Sequence, residues 1–309
     1  MSDTQGELRW IRPAWPVPAN VRAAASLRGG GTSTGPYASL NLGMHVGDDP
    51  QAVAHNRRRL SEALNLPGEP VWLNQVHGTC VVEAVPRDAT QGAPQADAAY
   101  AREADQVCVV LTADCLPVLL CDRAGTRVAV AHAGWRGLAA GVLGTTLAAM
   151  GGVPGEMMAW LGPAIEPAAF EVGEEVRAAF LAHDAMHAVA FERNARGRWQ
   201  ADLVALARRE LERLGVGAVF EGGWVEGRGA YQGSSLGTNL GSHSQGNSLG
   251  NGQGNERQSE PRNGRSGLGG NREDGGIGVF RCYADETRFF SYRRDGRTGR
   301  MATLIWMET

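Results

Sequence analysis

The sequence predicts an α+β (α/β) protein: a single domain with mixed β-sheets flanked by helices. Short apolar runs rich in β-branched residues, each bounded by turn residues, recur along the chain as buried strands do. Amphipathic stretches long enough for helices fall between these runs. No regular strand–helix–strand period links the two, so a purely parallel sheet is not expected.

Taken in order, residues 23–47 are turn-rich, with Arg28 before three glycines, then Gly35-Pro36 and Asn41-Leu42-Gly43, and read as loops between short strands. Asp48-Asp49-Pro50 opens a helix over 52–64. Strands are expected at 71–76, 79–85, 107–112, 117–121 and 127–131, followed by a helix at 138–150. A strand at 157–161 runs into Gly162-Pro163, a helix covers 174–182, and an amphipathic helix at 203–214 is stopped by Gly215. Strand-like segments at 281–283, 289–292 and 301–306 close the chain. Residues 1–22 are assigned to an N-terminal extension and 23–309 to the folded domain.

That domain is interrupted. Of the 43 glycines, 15 lie in residues 227–276 among Ser, Asn, Gln and Arg, with almost no apolar residues to offset the entropy of ordering. The segment reads as a disordered insertion. The remaining residues suffice for a substantial core.

Composition excludes several chemistries. All 30 basic residues are arginine, so no lysine Schiff base, P-loop lysine or Ser-Lys dyad exists. A formal net charge of −3 offers no footprint for nucleic acid. Residues 1–18 carry Arg9, Arg12 and three prolines in place of an apolar signal core, which points to the cytoplasm. The longest apolar run, 107–121, is interrupted by Asp114 and Pro117 and is too short for a membrane span. Five cysteines without CxxC spacing read as free thiols. The oligomeric state stays open.

Three phrases concentrate potential ligands at strand ends: Asn74-Gln75-Val76-His77-Gly78, Ala113-Asp114-Cys115-Leu116-Pro117 and His132-Ala133-Gly134-Trp135-Arg136-Gly137. A tight hairpin centred on Ala124-Gly125 would face His132 with Pro117 and put Cys115 on the same side, within roughly 7–8 Å. A turn shifted by one residue would set Cys115 directly opposite His132. A thiolate and one or two imidazoles on rigid strand ends suit zinc or another borderline metal with an open fourth position. The same atoms could form a Cys-His dyad, with His132 activating Cys115, or a buried Cys beside a satisfied His. Arg28, in a glycine-rich loop, and Arg136, opening a helix, are candidates for holding an anion. Asp114 is the candidate general acid or base. His45, His55, His183, His187 and His243 have no recurrent partner, and 289–296, with Arg293 and Arg294, reads as a structural turn.

The three phrases, with 35–43, Val46-Gly47-Asp48-Asp49-Pro50, Gly162-Pro163-Ala164-Ile165 and 289–306, resemble the YfiH family, formerly named polyphenol oxidase or laccase domain and now described as purine nucleoside phosphorylase. The resemblance runs from about residue 23 to 309, apart from the insertion. It implies a zinc site of His77, Cys115 and His132. With the residue reading above, these three and Asp114 are expected to be catalytic, and Arg28, Asn74 and Arg136 to contact substrate. The resemblance also implies phosphorolysis of adenosine, inosine and methylthioadenosine, so that purine nucleoside and phosphate are the partners, together with adenosine deamination. Some members are called peptidoglycan editing factors. The chain departs from the family at Ser26-Leu27-Arg28, where Ser-Thr-Arg is usual, and at the insertion. The rival readings are a cysteine hydrolase, an editing or binding factor, and a copper oxidase. One Cys and two His cannot build a multicopper cluster.

Overall fold

The computed structural model describes residues 7–86, 91–230 and 282–309. Strands β1 (Glu7–Pro13) and β2 (Val21–Ser26) precede helix α1 (Pro50–Leu64), followed by β3 (Val81–Glu83), β4 (Ala98–Ala101), β5 (Cys108–Thr112), β6 (Leu116–Asp122) and β7 (Val128–Ala133). Helices α2 (Trp135–Ala139) and α3 (Val142–Met150) lead to β8 (Met157–Leu161), β9 (Glu171–Val172), α4 (Glu174–Leu181), β10 (Phe191–Arg193), β11 (Trp199–Ala201), α5 (Leu203–Arg213), β12 (Ala218–Glu221) and β13 (Trp224–Ala230). The last elements are the single turn α6 (Tyr292–Asp295) and strand β14 (Met301–Met307).

Local chemistry explains the helix boundaries. At α1, the Asp49 side chain accepts from the Gln51 N–H and Pro50 fills the first turn, while Asn65 closes the helix at φ 48°. The helix expected over 138–150 is split instead, because Gly141 takes φ 95° and separates α2 from α3.

Two sheets stack on each other. One has the order β13-β1-β2-β14-β5, with every pair antiparallel. The other runs β12-β8-β6-β7-β4-β3, antiparallel in the middle and parallel at its edges, which makes the sheets mixed as expected. A small antiparallel sheet, β10-β11-β9, stands apart. Side chains alternate along β6: Leu119 and Cys121 point toward the five-stranded sheet with Trp160, Val110 and Ile305, while Leu116, Val118 and Leu120 face α3, α4 and α5. On the far side of the five-stranded sheet, Val109, Leu111 and Leu304 meet Leu60 of α1. The layers therefore run helix, sheet, sheet, helix. β6 is buried along its whole length, which explains its continuous apolar run.

Two assignments need correction. The expected N-terminal extension contains β1, whose Leu8 and Ile11 are buried, and Trp15, which packs edge-on against Phe220. The expected insertion begins too early, because its first four residues complete β13 in register with β1, pairing Gly227 with Trp10 and Ala230 with Glu7. The sequence patterns mislead here because β13 is glycine-rich and carries little apolar signal of its own. Residues 231–276 lie outside the described residues. Residues 71–76 and 79–85 form two isolated bridges, Val71 with Cys108 and Asn74 with Gln95, and the short β3. Residues 282–284 and 289–291 form turns and loop.

A Cβ added at Gly227 would fall against the Trp10 indole, near Nε1 and Cε2. Gly227→Ala is therefore expected to destabilise the protein by about 1–3 kcal/mol through overpacking, read from urea melts. An unchanged melt would place the start of the insertion at residue 227 after all.

Candidate metal centre

The ligand cluster grows out of the ends of two adjacent central strands and one loop. β6 and β7 pair with Pro117 opposite His132 and Leu116 opposite Ala133, the first of the two anticipated registers. The turn that sets this register is held by Asp122, whose carboxylate accepts from the Thr126 N–H at 2.8 Å and its hydroxyl at 2.5 Å, and by Gly125 at φ 67°. Cys115 immediately precedes β6 and His132 lies near the end of β7, so one hairpin delivers two ligands. His77 comes from a loop before β3 and takes φ 62°, a left-handed conformation uncommon for a residue with a side chain.

The three side chains converge. Cys115 Sγ is 3.8 Å from His77 Nε2, and the two imidazole rings meet edge-on at 4.7 Å between centroids. Their ligand atoms all lie within 4.8 Å of one another, and among the described residues this is the group of His, Cys, Asp or Glu with that property. Donors so spaced could hold a metal ion at bonds of about 2.0–2.3 Å. Close approach of the chain makes this possible: a Cβ at Gly134 would lie 2.9 Å from His77 Cδ2 and 3.0 Å from Cys115 Sγ.

Electrostatics favours a thiolate. Burial opposes ionisation of Cys115, but the charge of His132 and hydrogen bonds from both histidines prevail and bring the thiol down to about 6. Burial likewise opposes a charged His132, but Cys115 and Asp97 prevail and hold it up to about 9. Cys108 and Cys121 are pushed the other way by burial, Cys121 to about 12. They are core residues.

A cleft of about 490 Å³ opens over the cluster. Asp114 and Arg136 line it, and Asp114 Oδ2 accepts from the Arg293 N–H at 2.7 Å while Oδ1 has no hydrogen-bond partner among the described residues. Arg28 is not among the lining residues. Its guanidinium donates to the carbonyls of Ala38 and Glu286 and stacks on Phe290, which makes it a clamp for the chain. Asn74 is also outside the cleft, its backbone tied to Pro94 and Ala96, and its neighbour Gln75 lines the wall in its place, bonded both ways to Leu111. The cleft is also lined by His45, for which the sequence offered no partner, by Arg293, which it read as part of a structural turn, and by Arg300, which it did not single out. The arginines were hidden because the segment before β14 lies far from Cys115 in the chain. Asp97, bonded to His132 Nδ1 at 2.9 Å, carried no sequence signal at all.

In a Cys80→Ser background stripped of metal by chelation, alkylation of Cys115 should slow about tenfold per pH unit below about 6 and level off above it, because the lowered pKa keeps the thiolate present at neutral pH. Added zinc should protect the thiol. A rate still climbing at pH 9 would show that the histidines do not stabilise the thiolate.

Residues 22–225 and 271–308 match the family model described as multi-copper polyphenol oxidoreductase laccase. A Pseudomonas aeruginosa protein named purine nucleoside phosphorylase PA4543 is 44% identical over 301 residues, covering 97% of this chain and 98% of its own. Purine nucleoside phosphorylase YfiH of Escherichia coli is 43% identical over 298 residues, covering 96% and 98%. The crystal structure of Neisseria meningitidis protein NMB0706 superposes with a TM-score of 0.75 at 43% identity, covering 97% and 99% of the two chains, and that of YlmD from Geobacillus stearothermophilus with 0.73 at 26%, covering 100% and 98%. With the sheets, the ligand cluster and the full-length match in agreement, the chain belongs to the YfiH family.

Proposed function

We propose that this chain is a cytoplasmic, zinc-dependent purine nucleoside phosphorylase that uses adenosine, inosine and methylthioadenosine, with a secondary adenosine deaminase activity. The observation that carries the reading is the position of the His77, Cys115 and His132 cluster at the floor of a cleft whose walls hold three arginines. The names of the relatives supply the reaction class. Among the described residues Arg300 is half-buried and has no carboxylate within 4 Å, its guanidinium donating to the carbonyls of Thr298 and Gly299. Burial lowers its pKa, so an anion that restores its charge balance is favoured there. Arg136 and Arg293 add to the same field, whereas burial and the neighbouring Arg300 lower the pKa of His45 and leave it as a neutral hydrogen-bonding group.

His77, Cys115 and His132 would hold zinc, which when bound would supply Lewis acidity to the cleft. The protein's own groups do the rest. Arg300, with Arg293 or His45, holds phosphate against the ribose, where a phosphate oxygen forms the new bond to C1′ as the C1′–N9 bond breaks and its electron pair passes to the purine. Asp114 is the one carboxyl lining the cleft among the described residues, so proton delivery to the leaving purine is assigned to it. In deamination, water adds at C6 of adenosine and ammonia leaves.

A second reading has its own observation. Asp97, His132 and Cys115 stand in the order of a carboxylate, base and thiol, as in cysteine hydrolases. Metal content and products separate the two readings. Purified protein should hold about one zinc per chain, as expected of a single three-ligand site, and convert adenosine and phosphate to adenine and ribose 1-phosphate. Omitting phosphate should abolish adenine while sparing inosine, and chelation should suppress both. Arg300→Met should raise the KM for phosphate at least about tenfold, the loss of a charge-assisted contact, while changing inosine formation little. Metal-free protein that cleaves an amide or ester through Cys115 and leaves nucleosides intact would overturn the phosphorylase reading.

A further inference from the structure

Asp97 immediately precedes β4 and is fully buried. Continuing the β4–β7 register by one step past Ala98 and Ala131 sets it directly opposite His132, and the His132 N–H donates to the Asp97 carbonyl at 2.7 Å. On the other side, β3 runs parallel to β4, which folds the chain before it over the Asp97 side chain. The carboxylate there accepts four hydrogen bonds. Oδ1 receives the His132 Nδ1–H at 2.9 Å and the His77 backbone N–H at 2.9 Å. Oδ2 receives the backbone N–H groups of Val76 at 3.1 Å and Gly78 at 2.7 Å. No arginine shares this carboxylate among the described residues.

We propose that Asp97 is the positioning residue for both histidine ligands, orienting His132 through its ring and His77 through its backbone. Three successive N–H groups can point at one carboxylate only if the chain curls into a nest, and the φ of 62° at His77 is that curl. The strain at a residue with a side chain is thereby offset by hydrogen bonds to a charged acceptor. At His132, a carboxylate can only accept, so one ring proton is held on Nδ1 and Nε2 is the nitrogen turned toward Cys115 and His77, the one that would give up its own proton to bind a metal. One buried side chain thus sets the tautomer of one ligand and the place of another. The role concerns ligand geometry and holds whichever reaction the cleft performs.

Replacement by Asn makes the dependence visible. If the amide nitrogen takes the Oδ2 position, it confronts the N–H groups of Val76 and Gly78. If it takes the Oδ1 position, it confronts the His77 N–H and drives the His132 proton to Nε2, which removes the lone pair needed for a metal. Backbone donors cannot reverse, so neither orientation restores the parent arrangement.

The test compares the parent, Asp97→Asn and Gly227→Ala, the last serving as a control that is destabilised far from the cluster. Zinc affinity is measured by chelator competition and the cobalt-substituted forms by their visible spectra. Asp97→Asn should weaken zinc binding about 10–100-fold and alter the cobalt thiolate bands, whereas Gly227→Ala should leave both unchanged. Nitrogen NMR of zinc-loaded parent should show a slowly exchanging proton on His132 Nδ1. Asp97→Asn with zinc affinity within threefold of the parent, or a loss no greater than that of Gly227→Ala, would overturn the proposal. Should Asp97→Asn fail to fold, the parent spectrum still decides, since a proton on His132 Nε2 with Nδ1 bound to the metal would refute it.

Discussion

Antiparallel pairing of β7 with β6 on one side and with β4 on the other is the constraint from which the site follows. The first pairing brings Cys115 beside His132, and the second sets Asp97 behind the same imidazole. Because side chains alternate strictly along a strand, a slip of one residue in either pairing would turn His132 away from one of its partners. The buried apolar faces of β6 and β7 resist such a slip, since it would expose core residues on both sides of the sheet at once. Packing that stabilises the domain therefore also holds the ligand geometry.

The site concentrates charge where burial would ordinarily suppress it. A thiolate, an imidazole favoured in its charged form and a fully buried carboxylate follow one another across three neighbouring strands, and each keeps its charge because its neighbour has the opposite one or donates hydrogen bonds. A bound divalent ion would take over the part played by the His132 charge. Around the rim, the sign reverses. Arg136, Arg293 and Arg300 face the cleft with Asp114 as their carboxyl counterpart, which leaves room for an anion beside the metal position. A floor of potential metal ligands and cationic walls would suit the proposed transfer of ribose from a neutral nucleoside to phosphate.

The stacked sheets account for where the cleft can form. Their shared core, from Val110 and Ile305 across to Leu119 and Trp160, fills the interior, so a cavity is left only beyond the strand ends, where loops from both sheets meet. The five-stranded sheet sends Thr112 to Asp114 into the cleft and brings Arg300 just before β14, while the six-stranded sheet supplies Cys115 and His132. Neither sheet carries a complete set.

Much of this was legible in the chain. The apolar runs at β5 to β8 and β14, the caps of α1, and the Cys115 and His132 pair all follow from local pattern, because a strand buried on both faces and a tight hairpin write themselves into neighbouring residues. The absence of lysine and the motifs around His77, Cys115 and His132 narrowed the chemistry and the family before any coordinate was known. Other features lay beyond that reach. β1 and β13 form an edge pair between segments more than two hundred residues apart, and their glycines and prolines hide it. Arg28, which by sequence looked ready for an anion, is consumed by carbonyls and a ring, whereas Arg300 is left with charge to spare. Asp97 is an ordinary residue between two alanines until strand pairing places it behind His132 and a loop lowers three N–H groups onto it. Residue type and local period are properties of the chain and determine which groups can act. The direction of a side chain and the company of a buried charge arise from long-range pairing, so only the tertiary structure decided which of those groups meet.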